Sequence, residues 1–400
     1  MDPAWRRSGA RVPREPFPRP AADEPALPHT PPPPLDLAGA RLTIDLAALV
    51  DNWRTLAAIT PAAETAAVVK ADAYGIGIEP AVAALRDAGC ETFFVALPQE
   101  GIRARAVAPK ARIFVLNGLF DEAGATLAAH NLVPVLGSGE EIDQWSEIAR
   151  ARGRKLACAL HVDTGMNRLG LGLDEARARA GEWLERPQLD IALVMSHLAC
   201  ADQPDRRENA DQVDGFDAAT LLFPDAPASL LNSAGIRAGR LPAYDLTRPG
   251  IALYGGEAVD GQAPLKPVAR LDARVIQVRR VAKGDAIGYG GAETAKRDSR
   301  VAILSIGYAD GVHRLSGSSD AAPGAHARFD GRLYPLIGRI SMDLTAVDIT
   351  DAPEGSISRG SWLSLLDDTL TVDTLARHAG TIGYEVLTGL GRRYGRRYVG

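Results

Sequence analysis

Short, wholly apolar runs recur along the middle of the chain, each followed by a stretch with apolar residues three and four apart. The runs are AAVV at 66–69, ending on Lys70, then TFFVAL at 92–97, RIFVL at 112–116, LVPVL at 132–136 and LACALHV at 156–162. Later members lie at 191–195, 229–231 and 250–254, the last reading GIALY. An apolar run of four to eight residues without polar alternation predicts a strand buried on both faces. The stretches between them, such as 78–88, 140–151 and 173–184, carry helical spacing. Such strands alternating with helices predict a parallel sheet, and eight units predict a (β/α)8 barrel. An open doubly wound sheet is the alternative, but no glycine-rich dinucleotide fingerprint follows the first strand.

After residue 270 the texture changes. Short runs at 273–278, 301–306, 346–349 and 363–365 are separated by turn residues such as Lys283-Gly284-Asp285 and Asp330-Gly331. The fold class is therefore α/β plus β: an N-terminal (β/α)8 barrel over 39–270 and a C-terminal, mostly-β domain over 271–400. Before both, residues 1–38 hold Pro13, Pro16, Pro18, Pro20 and Pro31 to Pro34, which predicts a disordered or polyproline II tail.

Composition narrows the function classes. Hydrophobic residues make up 46% of the 400, enough for a sizeable core. A net charge of −5 without a long basic run argues against nucleic acid as a partner. No apolar stretch is long enough for a membrane span, and no apolar segment follows Arg6-Arg7 to make a signal peptide. The three scattered cysteines, Cys90, Cys158 and Cys200, fit neither a disulfide framework nor a zinc motif. A cytoplasmic setting is expected, with no metal.

In a barrel of this kind the chemistry collects at the C-terminal ends of the strands. The first strand ends on Lys70. A lysine there must find a partner or lose its charge, and an uncharged lysine is a nucleophile for carbonyls. A lysine snorkelling out of the barrel would give the same pattern. The loop after the seventh strand holds Ser233, and the segment before the eighth holds Arg248, Gly250 and Ile251. The loops after strands seven and eight often bind phosphate. Lysine, phosphate cradle and arginine at one mouth together suggest pyridoxal 5'-phosphate, with Arg248 a candidate partner for the pyridine nitrogen.

The motifs themselves resemble the alanine racemases. KADAYG at 70–75 is similar to that family's lysine signature. DTGMNRLG (163–170), MSHLACAD (195–202), LNSAG (231–235), RPGIALYG (248–255), IGYGG (287–291), IGYADG (306–311), GRISMD (338–343) and GYE (383–385) follow in family order. The resemblance implies a homodimer that racemises alanine between two bases, Lys70, which also carries the cofactor, and Tyr289. It implies that Tyr74, Ser233, Gly250, Ile251 and Tyr384 hold the phosphate and that Arg248 meets the pyridine nitrogen. Arg168 and the Met342 N–H would bind the substrate carboxylate, and Tyr308 would line the entrance. His197, linked to Arg248, would be the cationic neighbour that lets Tyr289 act as a base. Tyr289, Tyr308 and Met342 would reach the site from the partner subunit.

Two positions depart from the family pattern. Ile76 stands where a histidine commonly follows Tyr-Gly. His161 stands where many members carry a carbamylated lysine whose negative charge positions the arginine at 168; a bound anion such as chloride, or another acceptor, is the expected substitute. Three rivals share some of the features. A racemase of broader specificity would keep the whole constellation. A fold-related decarboxylase would not need two bases. A non-catalytic carrier of the cofactor would lack the β domain.

Overall fold

A computed structural model of the protein describes residues 33–120 and 122–400. Of the expected proline-rich tail, residues 1–32 lie outside the described residues. Residues 35–37 form a turn, and Ala38 is buried.

Eight parallel strands close into a barrel. The first is split: Glu64–Thr65 pairs with Leu246–Thr247, and Ala67–Val68 pairs with Thr92–Val95. Arg112–Val115, Val133–Leu136, Leu156–Asp163, Leu189–Met195 and Ala228–Ser229 follow, each parallel to the one before. The ring closes where Asp245 N–H donates to Ala228 O at 3.1 Å and Arg248 N–H to Leu231 O at 2.9 Å. Phe93, Phe94 and Val95 are wholly buried, as a doubly covered strand requires, and Phe94 stacks on Phe114 of the next strand at 4.8 Å. Outside the ring, Gly139–Ala151 shows why the helices form where they do. Ser138 Oγ accepts from Glu141 N–H at 3.2 Å as an N-cap, and Ile142, Trp145 and Ala149 turn one buried face to the barrel.

The eighth strand is not where the apolar run places it. It is the two-residue Leu246–Thr247, and the expected run at 250–254 instead holds a 3-10 turn, Ile251–Tyr254. Pro249 has no N–H for a ladder, and the burial of Ile251, Leu253 and Tyr254 comes from packing under the barrel mouth rather than from a sheet.

The second domain is built on the long strand Ala269–Val281. Ser299–Leu304 and Trp362–Leu366 pair with it antiparallel, and so does Ala40–Asp45. Gly395–Val399 then pairs parallel to Ala40–Asp45. The barrel therefore does not begin at residue 39: the first strand after the tail belongs to the β-domain sheet. Its alternating burial fits one face on the core and one towards solvent. Two short helices, Val372–Ala379 and Gly383–Thr388, interrupt the β domain, and the second brings Tyr384 to the barrel mouth. One continuous hydrophobic core runs through both units, with a small satellite of Ile287, Ala295, Val301 and Ile337. Among the described residues no helix is long and apolar enough to cross a membrane.

Candidate active site

The barrel mouth holds a cavity of about 490 Å³. Lys70 lies on its wall, two residues beyond the strand that ends at Val68. Behind it the backbone does something unusual: Ala71, Asp72, Ala73 and Tyr74 all have φ between 52° and 56°. A run of left-handed residues costs ~1–2 kcal/mol at each L-residue, so it persists only where neighbours hold it. They do. Gly75 N–H donates to Ala71 O at 2.8 Å and Gly77 N–H to Asp72 O at 2.8 Å. Asp72 pairs with Arg103 at 2.7 Å and accepts from Ile78 N–H at 3.1 Å. Ala71 N–H donates to Glu100 Oε1 at 2.7 Å. Burial, with the Arg168 charge second, holds the Lys70 ammonium below the usual lysine range, and Glu100 opposes them. Ile76, the first departure from the family pattern, is wholly buried in the core.

Tyr74, Ser233, Gly250, Ile251 and Tyr384 line the same cavity and lie against one another. Ser233 Oγ accepts from Gly250 N–H at 2.8 Å and from Ala252 N–H at 3.3 Å. Tyr74 stacks on Tyr254 at 4.4 Å, and Tyr254 Oη donates to Val68 O at 2.9 Å. A methyl group at 250 would strike the Tyr74 hydroxyl. Bare backbone at Gly250 and three hydroxyls, those of Tyr74, Ser233 and Tyr384, suit a phosphate. Burial pushes the Tyr384 phenol up to about 12 and Tyr74 higher still, so both stay protonated donors.

Arg248 is buried and pairs with no carboxylate: it donates to Ser229 Oγ and to the carbonyls of Ser196 and Leu230. Those bonds use Nη1 and Nη2, leaving Nε for a ligand. Burial pushes its guanidinium down to about 9, so it is still charged at neutral pH. The histidines answer to this charge. Burial first, then Arg248, push His161 down to about 4 and His197 down to about 3. Both are neutral. Arg248's hydrogen bond in this segment goes to the backbone of Ser196 and not to the His197 ring, whose low pKa weighs against the expected cationic role. A neutral His161 also cannot supply the negative charge that a carbamate would.

Arg168 rides on a loop held by Asp163, whose carboxylate accepts from the N–H groups of Gly165, Met166 and Asn167, each at 2.9 Å. Gln212, buried on the helix Arg207–Thr220, ties this loop to the next. It donates to Thr164 Oγ1 at 3.3 Å and to His197 O at 2.8 Å, and it accepts from Ala199 N–H at 2.8 Å. Neither Gln212 nor Glu100 was expected at the site. A glutamate three residues into a helix signals a cap, and a polar residue on the buried stripe of Asn209, Gln212, Phe216 and Ala219 signals a tertiary bond. Neither signal names the partner.

Tyr289, Tyr308 and Met342 are not among the residues lining this cavity. They are 69%, 42% and 54% exposed. The segments carrying Tyr308 and Tyr289 are both bonded to residues 338–342, which include Met342. Tyr308 N–H donates to Ser341 O at 3.0 Å, Ala309 N–H to Met342 O at 2.9 Å, and Glu293, just past the Tyr289 turn, accepts from Gly338 N–H at 2.6 Å. Nine of the expected site residues thus meet at the barrel mouth, and three form a separate exposed group on the β domain.

Residues 44–258 match the model of the alanine racemase N-terminal domain, and residues 268–398 that of the C-terminal domain. Over 90% of its length the chain is 48% identical to the biosynthetic alanine racemase of Agrobacterium fabrum, covering 94% of that protein. It is 46% identical to the catabolic alanine racemase of the same organism, over 90% of the chain and 92% of the relative. The crystal structure of alanine racemase from Bartonella henselae, with covalently bound pyridoxal phosphate, is similar at a TM-score of 0.84 and 36% identity, covering 90% of this chain and 100% of that one.

Proposed function

The chain belongs to the alanine racemase family, and from that premise we propose that it interconverts L- and D-alanine with pyridoxal 5'-phosphate held on Lys70. The observation that carries this is the Lys70 amine, desolvated at the mouth of a cavity that also holds a cluster suited to a phosphate. When bound, pyridoxal phosphate supplies the electron withdrawal that makes the substrate Cα–H acidic. The rest is done by side chains.

Racemisation takes the α-proton from one face and returns one to the other, which two bases on opposite faces do without turning the substrate. Lys70, held below the usual lysine range, serves one face, and Tyr289 the other. Arg168 and the Met342 N–H bind the carboxylate. Arg248 donates to the pyridine nitrogen from a site that keeps it charged, so that nitrogen gains no proton. Tyr308 and Tyr384 narrow the entrance to small amino acids.

The exposure of Tyr289, Tyr308 and Met342 supports a homodimer in which the partner's β domain completes each site. Three free cysteines, two of them buried, support a reducing, cytoplasmic setting. The relatives at 48% and 46% identity carry a biosynthetic and a catabolic name, and a racemase serves either role with the same chemistry: D-alanine for peptidoglycan, or alanine breakdown.

The test is exchange of the α-proton of L- and D-alanine in deuterated water, with a visible spectrum recorded alongside. Exchange from both enantiomers, and a cofactor band lost in Lys70→Ala, are expected. A band without exchange on alanine would overturn the substrate and direct the search to larger amino acids.

A further inference from the structure

The left-handed turn that follows Lys70 is held from one side by a single helix, Pro98–Val107. Two residues one turn apart on that helix reach two consecutive residues of the turn: Glu100 takes the Ala71 N–H at 2.7 Å, and Arg103 pairs with Asp72 at 2.7 Å. Arg103 is part-exposed and is shared with Glu79. Glu100 is buried and spends both carboxylate oxygens on backbone. Oε1 takes Ala71 N–H, and Oε2 takes Ala96 N–H at 2.8 Å and Leu97 N–H at 3.1 Å. Those last two donors belong to the end of the second barrel strand and the start of the helix. One side chain therefore joins the second strand, its helix and the residue next to Lys70.

We propose that Glu100 is the positioning residue for Lys70: its carboxylate fixes the left-handed turn at Ala71, and so the place from which the Lys70 amine enters the cavity, while putting an acid at the residue next to Lys70. The Ala71 N–H has no other acceptor. With φ near 54° at Ala71 and no glycine until Gly75, the turn has no intrinsic preference for its own shape. The charge matters because the mouth is otherwise cationic, with Arg168 and Arg248 on its other walls. Of the other acids nearby in sequence or site, Asp72 is paired with Arg103 and Asp163 has its oxygens engaged by its own loop.

The inference rests on the cofactor reading above, and Glu100→Gln separates it from a plain helix cap. An amide offers one oxygen. Whichever way it turns, its NH2 faces either the Ala71 N–H or the Ala96 and Leu97 N–H pair, and the charge is gone. Retention of pyridoxal phosphate by the full-length protein, followed by equilibrium dialysis and visible absorbance, is measured beside the melting temperature of the cofactor-free form. Affinity for the cofactor is expected to fall roughly tenfold, with kcat falling more than KM rises. Glu100→Asp is the second variant. It keeps a charged acid in the first helical turn but is one methylene too short to serve both strand ends. It should melt closer to wild type than Glu100→Gln and still release the cofactor faster. A lower melting temperature with wild-type cofactor affinity and kcat in both variants would reduce Glu100 to a cap and overturn the proposal. A wild-type protein that binds no pyridoxal phosphate would instead sink the functional reading itself.

Discussion

The Tyr74 hydroxyl occupies the space in which a side chain at residue 250 would begin, so Gly250 and Tyr74 define each other's position. Tyr74 cannot easily retreat, because its ring is stacked on Tyr254, which is itself bonded to Val68 O. Gly250→Ala should therefore push the phenol off its place and spoil the phosphate corner. The expected result is a fall in pyridoxal phosphate affinity of roughly tenfold or more, read by equilibrium dialysis. Unchanged affinity would show that the ring shifts freely and that this contact does not shape the cradle.

The separation of Tyr289 from Lys70 can be tested without a structure of the dimer. Lys70→Ala and Tyr289→Phe should each be nearly inactive alone. If each site draws Lys70 from one chain and Tyr289 from the other, mixed dimers contain one intact site. Random mixing makes half the dimers hybrids with one site in two restored, so about a quarter of wild-type activity should return. If both bases come from one chain, mixing two dead variants restores nothing.

How much of this was legible in the sequence depended on the kind of force involved. The barrel strands showed because burial on both faces writes an uninterrupted apolar run, as at Phe93, Phe94 and Val95. Leu246–Thr247 did not show, because two residues between polar neighbours write no pattern at all. Ala40–Asp45 was hidden for another reason: its partners lie more than two hundred residues away, at 269–273 and 395–399. The left-handed turn at 71–74 leaves little local trace: aspartate tolerates positive φ, but alanine and tyrosine do not favour it, and one aspartate does not mark a four-residue run. The tertiary bonds to Glu100 and Arg103, with the turn's own hydrogen bonds to Gly75, Gly77 and Ile78, hold it. The site residues were readable as motifs, but the low pKa of His197 was not, because it comes first from burial and then from Arg248, Arg168 and Lys70, which other loops bring in.

Gln212 should matter for substrate binding more than for the proton transfers. Its amide uses both donor and acceptor to lock the Arg168 loop against the His197 segment. Gln212→Ala would leave His197 O and Ala199 N–H unpaired in a buried place, at a cost of ~1–3 kcal/mol. With its anchor loosened, Arg168 should hold the carboxylate less well, so KM for alanine is expected to rise severalfold while kcat changes less. A lower melting temperature with unchanged KM would mean that the loop keeps its geometry without the latch.

His161 should make stability fall on mild acidification. The folded protein holds its imidazole neutral down to about 4, because burial and the Arg248 and Arg168 charges penalise the cation more than Asp163 favours it. In the unfolded chain the ring takes its proton at about pH 6.5. Between those two values the unfolded state binds a proton that the folded state refuses, so stability is lost as pH falls through the window. The loss is at most ~1.4 kcal/mol per pH unit for this one group, and none of it arises above the unfolded value. His197 titrates in the same direction and carboxylates contribute with both signs over the same range, so the informative quantity is a difference between proteins. Urea midpoints at pH 7, 6 and 5 for wild type and His161→Gln should diverge, wild type losing about 2 kcal/mol more by pH 5. Parallel curves would mean that the site accepts an imidazolium after all, with Asp163 as its partner. His161 could then donate to an anion beside Arg168 as a full cation rather than as a neutral ring.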